Sequence, residues 1–210
     1  ILADGNYVYN GSFQEGDGRL GYWDVSKNGG AEVSVTNENN IRRLMVNAPE
    51  GTSAEQPVIV SQSDLALSAG NTYAMSFTAE GESGREITVK AAGQEYSAEM
   101  NGAEQEYDYK LTLDTEPADT DLAFIFREPG LYYLDNVRIE EDSLIKNGSF
   151  NAGFSGYEPY VDSSISSDVT YVVDSLNEDN AADFSINNTG DAAWKIQLKQ
   201  NNVELEKGQW

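Results

Sequence analysis

The chemistry open to this chain is bounded first by the side chains it lacks. No histidine and no cysteine occurs among its 210 residues. That removes thiol nucleophiles, Ser-His-Asp arrangements, imidazole-based zinc sites and disulfides together. Thirty-six Asp and Glu residues supply carboxylate pairs in quantity, so a pair by itself signals nothing. Glycoside hydrolysis on a sheet needs carboxylates interleaved along one strand, as Glu-x-Asp-x-x-Glu or Glu-x-Asp-x-Glu. The nearest approach is Glu106-Tyr107-Asp108, and Lys110 and Leu111 stand where the next acid is required. No Gly-x-Ser-x-Gly elbow, P-loop or dinucleotide fingerprint occurs. The expectation is a chain that catalyses nothing.

Thirteen Lys and Arg against those acids leave a net charge of −23, which repels nucleic-acid phosphates and anionic lipid. Apolar runs such as Leu122-Ala-Phe-Ile-Phe126 are far below a spanning length, so no membrane insertion is expected. The first residues, Ile1 to Gly5, have neither a basic nor an apolar leader region, and a signal peptide is expected to be absent or already removed. Twelve Tyr, seven Phe and three Trp make the chain too aromatic for a disordered acidic tail.

The elements that would position any site are strands. Tyr73, Met75 and Phe77 alternate on one face of 72–78, and Tyr107, Tyr109, Leu111 and Leu113 do so over 107–113. Ile87–Val89, Leu122–Arg127 and Tyr132–Ile139 supply more, separated by turn signals at Gly29-Gly30, Gly81–Gly84, Asn101-Gly102 and Pro129-Gly130. The fold expected is all-β, a sandwich of two antiparallel sheets. Tyr73, Met75, Phe77, Leu111, Leu113, Phe124, Phe126, Leu134 and Val137 should be buried. A repeat is also legible: Asn10-Gly-Ser-Phe13 returns as Asn147-Gly-Ser-Phe150, and Trp23, Val33 and Val35 align with Tyr160, Thr170 and Val172. Leu65-x-Leu67-x-x-Gly70 aligns with Val203-x-Leu205-x-x-Gly208. The reading is one module over 1–142 and the N-terminal half of a second over 143–210, cut short at Trp210.

Asn10-Gly-Ser-Phe13, Trp23, Gly70-Asn-Thr-Tyr-Ala-Met-Ser-Phe77 and Leu134-Asp-Asn-Val-Arg-Ile139 together resemble carbohydrate-binding modules of the family 4/9 type. The resemblance implies a jelly-roll sandwich, appended to secreted bacterial glycanases, that binds β-glucan, xylan or a related polysaccharide in a concave cleft. It also implies a secreted or cell-surface protein and no catalysis. Trp194-Lys-Ile-Gln-Leu-Lys-Gln200 resembles one strand of that family more closely than its counterpart in the first copy, where Gln56 and Ile59 replace Trp194 and Gln197. Thr78 stands where relatives often carry an outward Trp. The alternative that stays open is a structural or adhesin-type spacer without glycan affinity, because function sits on the site and not on the sandwich.

Against that background Arg127 is the leading sugar ligand, since a guanidinium presents fixed donors to vicinal hydroxyls. Gln62, Thr78, Glu80, Gln197 and Trp194 accompany it, and Tyr22, Tyr96, Tyr132 and Tyr133 belong either to a rim or to the core. The resemblance further implies a structural Ca²⁺ held by the Ser12 carbonyl, Gln14, Glu38, the Ile41 carbonyl and Asp135. All are oxygen donors of the kind this ion takes. Gln14 replaces a family Glu, and in the second copy Glu178 and Ala181 align with Glu38 and Ile41. An incomplete second module would leave strand edges and an apolar face open to self-association.

Overall fold

The structure, a computed structural model, describes residues 2, 5–27, 29–142, 145, 147, 148, 150, 153–176, 179–201 and 203. Glu178, Leu205, Gly208 and Trp210, named above, lie outside the described residues. The chain divides into two compact units, one of Asn6–Asp142 and one of Ser143–Trp210 together with Ile1–Gly5.

Ten strands build the first unit: β1 Asp24–Ser26, β2 Glu32–Glu38, β3 Ile41–Ala48, β4 Val58–Gln62, β5 Asn71–Gly81, β6 Glu86–Ala91, β7 Gln94–Glu99, β8 Gln105–Leu113, β9 Leu122–Phe126 and β10 Gly130–Glu141. They form two five-stranded sheets, ordered β1-β4-β9-β6-β7 and β2-β3-β10-β5-β8, with antiparallel pairing throughout. The period-2 alternation dictates which side chains meet between the sheets. All nine expected core residues are buried. Phe124 from one sheet meets Phe77 from the other edge-on, ring centroids 5.0 Å apart, the geometry that aromatic quadrupoles favour.

The N-terminal segment is sewn to β10 by polar groups. Asn6 Oδ1 accepts from the Val8 and Ile139 amides, and its Nδ2 donates to the Val137 carbonyl. β10 itself carries a bulge between Asp135 and Arg138, with Asn136 at φ 52°. There the Val137 amide donates to the Gly11 carbonyl at 2.9 Å. A Cβ on Gly11 would fall 2.0 Å from the Val137 carbonyl oxygen, so this crossing admits no side chain.

Among its described residues the second unit has four strands, β11 Tyr157–Val161, β12 Val169–Leu176, β13 Asp179–Ile186 and β14 Ile196–Gln200, paired β11·β14 and β12·β13. The first unit pairs β1·β4 and β2·β3 in the same manner. Asn10 Nδ2 donates to the carbonyls of Arg19 and Gly21, and Asn147 Nδ2 to those of Gly153 and Ser155. Phe13 packs on Trp23 at 5.5 Å, and Phe150 on Tyr157 at 4.9 Å. Phe150 and Tyr157 are separated by a shorter loop than Phe13 and Trp23. Tyr171 pairs with Phe184 across β12 and β13, and Val172, next along β12 on the opposite face, is 54% exposed.

Candidate functional site

The outer face of β1-β4-β9-β6-β7 is an open surface whose rows follow from the strand registers. One row runs Ser26, Ile59, Ile125, Thr88, Ser97, and the next Asp24, Ser61, Ala123, Lys90, Glu95. Outward side chains of a sheet are normally wet, yet Ile125 is 7% and Thr88 3% exposed. Arg127, just past the end of β9, lies across them. Its Nη1 donates to Thr88 Oγ1 at 3.1 Å and pairs with Glu95 at 3.6 Å, and Lys90 meets the same carboxylate at 3.4 Å. The face is thus an aliphatic floor of Ile59, Ile125 and Ala123, bordered by small hydroxyls and by two cations sharing one acid. Such a floor covers the C–H side of a sugar ring, while hydroxyls and guanidinium exchange hydrogen bonds with its oxygens.

The structure gathers only one of the candidate sugar ligands of the first unit on this face. Gln62 follows the inward parity of Val58 and Val60 and is 3% exposed. Its Oε1 accepts from the Tyr9 amide at 2.7 Å and its Nε2 donates to the Tyr9 carbonyl at 2.9 Å, which corrects its placement from ligand surface to framework. Thr78 and Glu80 lie on β5, on the outer face of the other sheet. Thr78 Oγ1 donates to the Asp135 carbonyl, and Glu80 pairs with Arg43 at 2.6 Å while Arg43 stacks on the Tyr133 ring. Both belong to a network that the sandwich separates from Arg127. Tyr132 is core and Trp23 is buried. Sequence parity overlooked Glu95, which orients both cations; no pattern in the chain marks it.

In the second unit Gln197 pairs with Tyr160 across β14 and β11, next to the Lys199–Glu158 pair. Trp194 sits in a 3-10 turn, Ala193–Lys195, and is 53% exposed. Continuous strand parity would turn it inward with Ile196 and Leu198; the 3-10 turn breaks that parity and leaves the ring exposed. Gln197 Nε2 donates to the Trp194 carbonyl at 2.6 Å. A cavity of about 490 Å³ lined by Ile186, Thr189 to Ala193 and Ile196 opens beside this turn.

The residues expected at the calcium site lie around one corner of the first unit. The Gly11–Val137 bond sets the Ser12 loop against the β10 bulge, and Arg42, beside Ile41, donates to Gln14 Oε1. Gln14 Nε2 donates to the Ser12 carbonyl at 2.8 Å, and Glu38 pairs with Ile41 across β2 and β3. Asp135 is 8% exposed, and its buried Oδ1 has no hydrogen-bond partner. Burial lifts its carboxyl from 3.8 to about 6, opposed by a hydrogen bond from the Asn136 amide, with Glu104 adding to the rise. An orphaned buried carboxylate oxygen beside carbonyl and amide oxygens is chemistry that suits a hard cation. Among the described residues no three His, Cys, Asp or Glu side chains converge on one point, so carbonyls and amides would have to complete the shell.

A two-sheet antiparallel sandwich with one open face, apolar at its centre and bordered by charges, can serve as a ligand-binding module. The chain belongs to the carbohydrate binding domain family of the 4/9 type, whose sequence pattern matches residues 5–130. It is accordingly a carbohydrate-binding module, a class that is typically non-catalytic and extracellular. Among the described residues no helix is long and apolar enough to cross a membrane. Similar solved structures include the enzymatically active domain of a bacteriophage CBA120 tailspike protein, at 14% identity and TM-score 0.52 over 67% of this chain. This chain spans only 22% of that protein. A family 4 carbohydrate-binding module is 21% identical, with TM-score 0.49 over 64% of this chain and 99% of its own. A family 61 module in complex with β-1,4-galactotriose is 18% identical, with TM-score 0.46 over 65% of this chain and 99% of its own. No curated protein matches the sequence.

Proposed function

We propose that the chain binds a β-glucan or xylan-type polysaccharide outside the cell, without hydrolysing it, through the outer face of β1-β4-β9-β6-β7. The observation that carries this reading is Arg127 held by Thr88 and Glu95 beside the Ile59–Ile125 floor. A guanidinium so fixed loses little freedom when it meets a sugar hydroxyl. The neutral floor and the shared acid beside it favour an uncharged glycan.

The test is affinity electrophoresis through gels containing β-glucan, xylan or mannan. The chain should be retarded by one of the first two, Arg127→Ala should lose roughly tenfold in affinity, and no reducing sugar should be released. Retardation by none of them favours the spacer reading, for which the lack of any aromatic ring in the two outward rows is the supporting observation.

The second unit is proposed as the front half of a like module, on the strength of its matching strand pairing, Asn cradle and Phe–aromatic stack. There Tyr160 and Gln197 occupy the places of Ser26 and Ile59, so an aromatic plane and an amide would serve as sugar contacts beside Trp194. Tyr171, Ile186 and Leu198 are exposed, and self-association through them is the accompanying proposal, tested by light scattering against a chain ending at Glu141. Calcium at the Asp135 corner is likewise a proposal. Ser12, Gln14, Glu38, Ile41 and Asp135 would hold it, once Arg42 leaves Gln14, and calcium would then raise the melting temperature.

A further inference from the structure

Tyr22 is an aromatic ring presented to solvent from a backbone built to hold it there. It is 62% exposed and its φ is 71°, a left-handed conformation that costs any residue with a Cβ and is normally left to glycine, asparagine or aspartate. Both neighbours are pinned. The Gly21 carbonyl accepts from Asn10 Nδ2 at 2.9 Å, and Trp23 Nε1 donates to the Asn10 carbonyl at 3.0 Å while its ring fills the core against Phe13 and Phe124. With Trp23 turned inward, Asp24 opens β1 on the outer side, and Tyr22 stands exposed in the turn immediately before it.

The ring is also backed. Tyr9 stacks beneath it at 5.2 Å and 28°, and Tyr9 has its backbone amide and carbonyl both clasped by the buried amide of Gln62. One face of Tyr22 is therefore used and the other is open. Strained backbone that persists because its surroundings over-determine it is a mark of function. An exposed tyrosine presents a broad apolar plane at small cost in side-chain freedom.

We infer that the Tyr22–Tyr9 pair is the stacking subsite of the glycan path, receiving the apolar face of a neutral pyranose beside the edge strand β1. This rests on the polysaccharide reading above and extends it. From β1 the floor passes over β4 and β9 to the Arg127 guanidinium, which is anchored on β6 and β7. Those three strand spacings are about 14 Å across the sheet, and Tyr22 stands four residues along the chain from Ser26, whose row holds Thr88, so the path takes several linked rings and not one. The ligand class is then a neutral β-linked chain, read at one end by an aromatic plane and at the other by a guanidinium.

The informative variant is Tyr22→Gly, which removes the ring and also relieves the left-handed backbone. Its melting temperature should equal or exceed that of the parent chain, while its affinity for the retarding polysaccharide falls roughly tenfold. Tyr22→Phe should bind as the parent does, because the ring plane and not the hydroxyl makes the contact. Short oligosaccharides of the same glycan should bind more tightly as length grows, until the path is filled. If the parent and Arg127→Ala differ in binding but Tyr22→Gly binds like the parent, the subsite is overturned and the polysaccharide reading stands. If the parent itself binds none of the glycans, both fall together.

Discussion

In EDTA, replacing Asp135 by Asn should stabilise the first unit at neutral pH and remove a distinctive pH dependence. The folded carboxyl titrates at about 6 and the unfolded one at 3.8. Between these values the folded state keeps a proton that the unfolded chain has released, so stability falls as pH rises from about 4 to 6 and then levels. Full ionisation of such a group costs about 3 kcal/mol. The groups facing it are Arg43, which favours the charged form, and Glu104, which opposes it. Arg43 is already engaged by Glu80 and Glu104 at 2.6 and 3.1 Å, so little of its charge is left for Asp135. An asparagine leaves a polar amide in the same buried place at a cost of about 1 kcal/mol. The net gain for Asp135→Asn at pH 7.5 is then about 2 kcal/mol, or roughly 6–10 °C in melting temperature for a unit of this size. Urea unfolding in EDTA, followed by the near-UV signal of Trp23 with Trp194 and Trp210 replaced by Phe, isolates this unit. With so many acids the whole chain loses stability as pH rises, so the difference between the two chains is the quantity to plot. It should open between pH 4 and 6 and close when calcium is added. Parallel profiles from pH 4 to 7.5 would refute the reasoning.

Two further outcomes follow from packing. Gly11→Ala drives a Cβ into the Val137 carbonyl and should cost 3 kcal/mol or more, by roughly the measure of other backbone-strain and overpacking changes. Gly148→Ala, whose Cβ meets nothing nearer than 4.0 Å, should leave the second unit's melting curve within about 0.5 kcal/mol of the parent. Gln62→Ala strips the Tyr9 backbone of both side-chain partners and leaves them buried; a loss of about 2–3 kcal/mol in urea unfolding is expected. Gln62→Glu, which sets a buried carboxylate against the Tyr9 carbonyl, should at neutral pH cost at least as much.

Strand parity was legible because an alternating run leaves one arrangement for its apolar members: Tyr73, Met75 and Phe77 could only face inward together. Parity is a property of one strand, however, and it does not say which sheet the strand joins. Thr78 and Arg127 both point outward, yet β5 and β9 lie in different sheets, and only long-range pairing separates them. Gln62 was readable, since it continues Val58 and Val60, but its amide type suggested a sugar ligand more readily than a clasp on Tyr9. The exposure of Trp194 comes from a short 3-10 turn that resets parity before β14 begins, which nothing in the local sequence marks. The Asp135 corner was placed by family resemblance; its orphaned oxygen is a consequence of the β10 bulge, which no local pattern announces.

The cradle around Asn10 also governs how this protein ages. Asparagine followed by glycine is the most perishable pair in a polypeptide, because the next amide nitrogen attacks the side-chain carbonyl and expels ammonia, and water then opens the resulting succinimide to aspartate or isoaspartate. Asn10 precedes Gly11, and its Nδ2 is committed to the carbonyls of Glu15, Arg19 and Gly21 while Oδ1 accepts from the Gln14 and Glu15 amides. Held in this way, the side chain cannot turn toward its neighbour, and the reaction waits for the loop to open. Asn101, before Gly102, is exposed, and its amide is held only from within its own turn region, by Gln105 Oε1 and the Ala103 amide. Of these two sites Asn101 should therefore decay first in the folded protein. A molecule damaged at Asn10 has opened this loop at least once, and the new carboxylate, set against three carbonyl oxygens, keeps it from closing again.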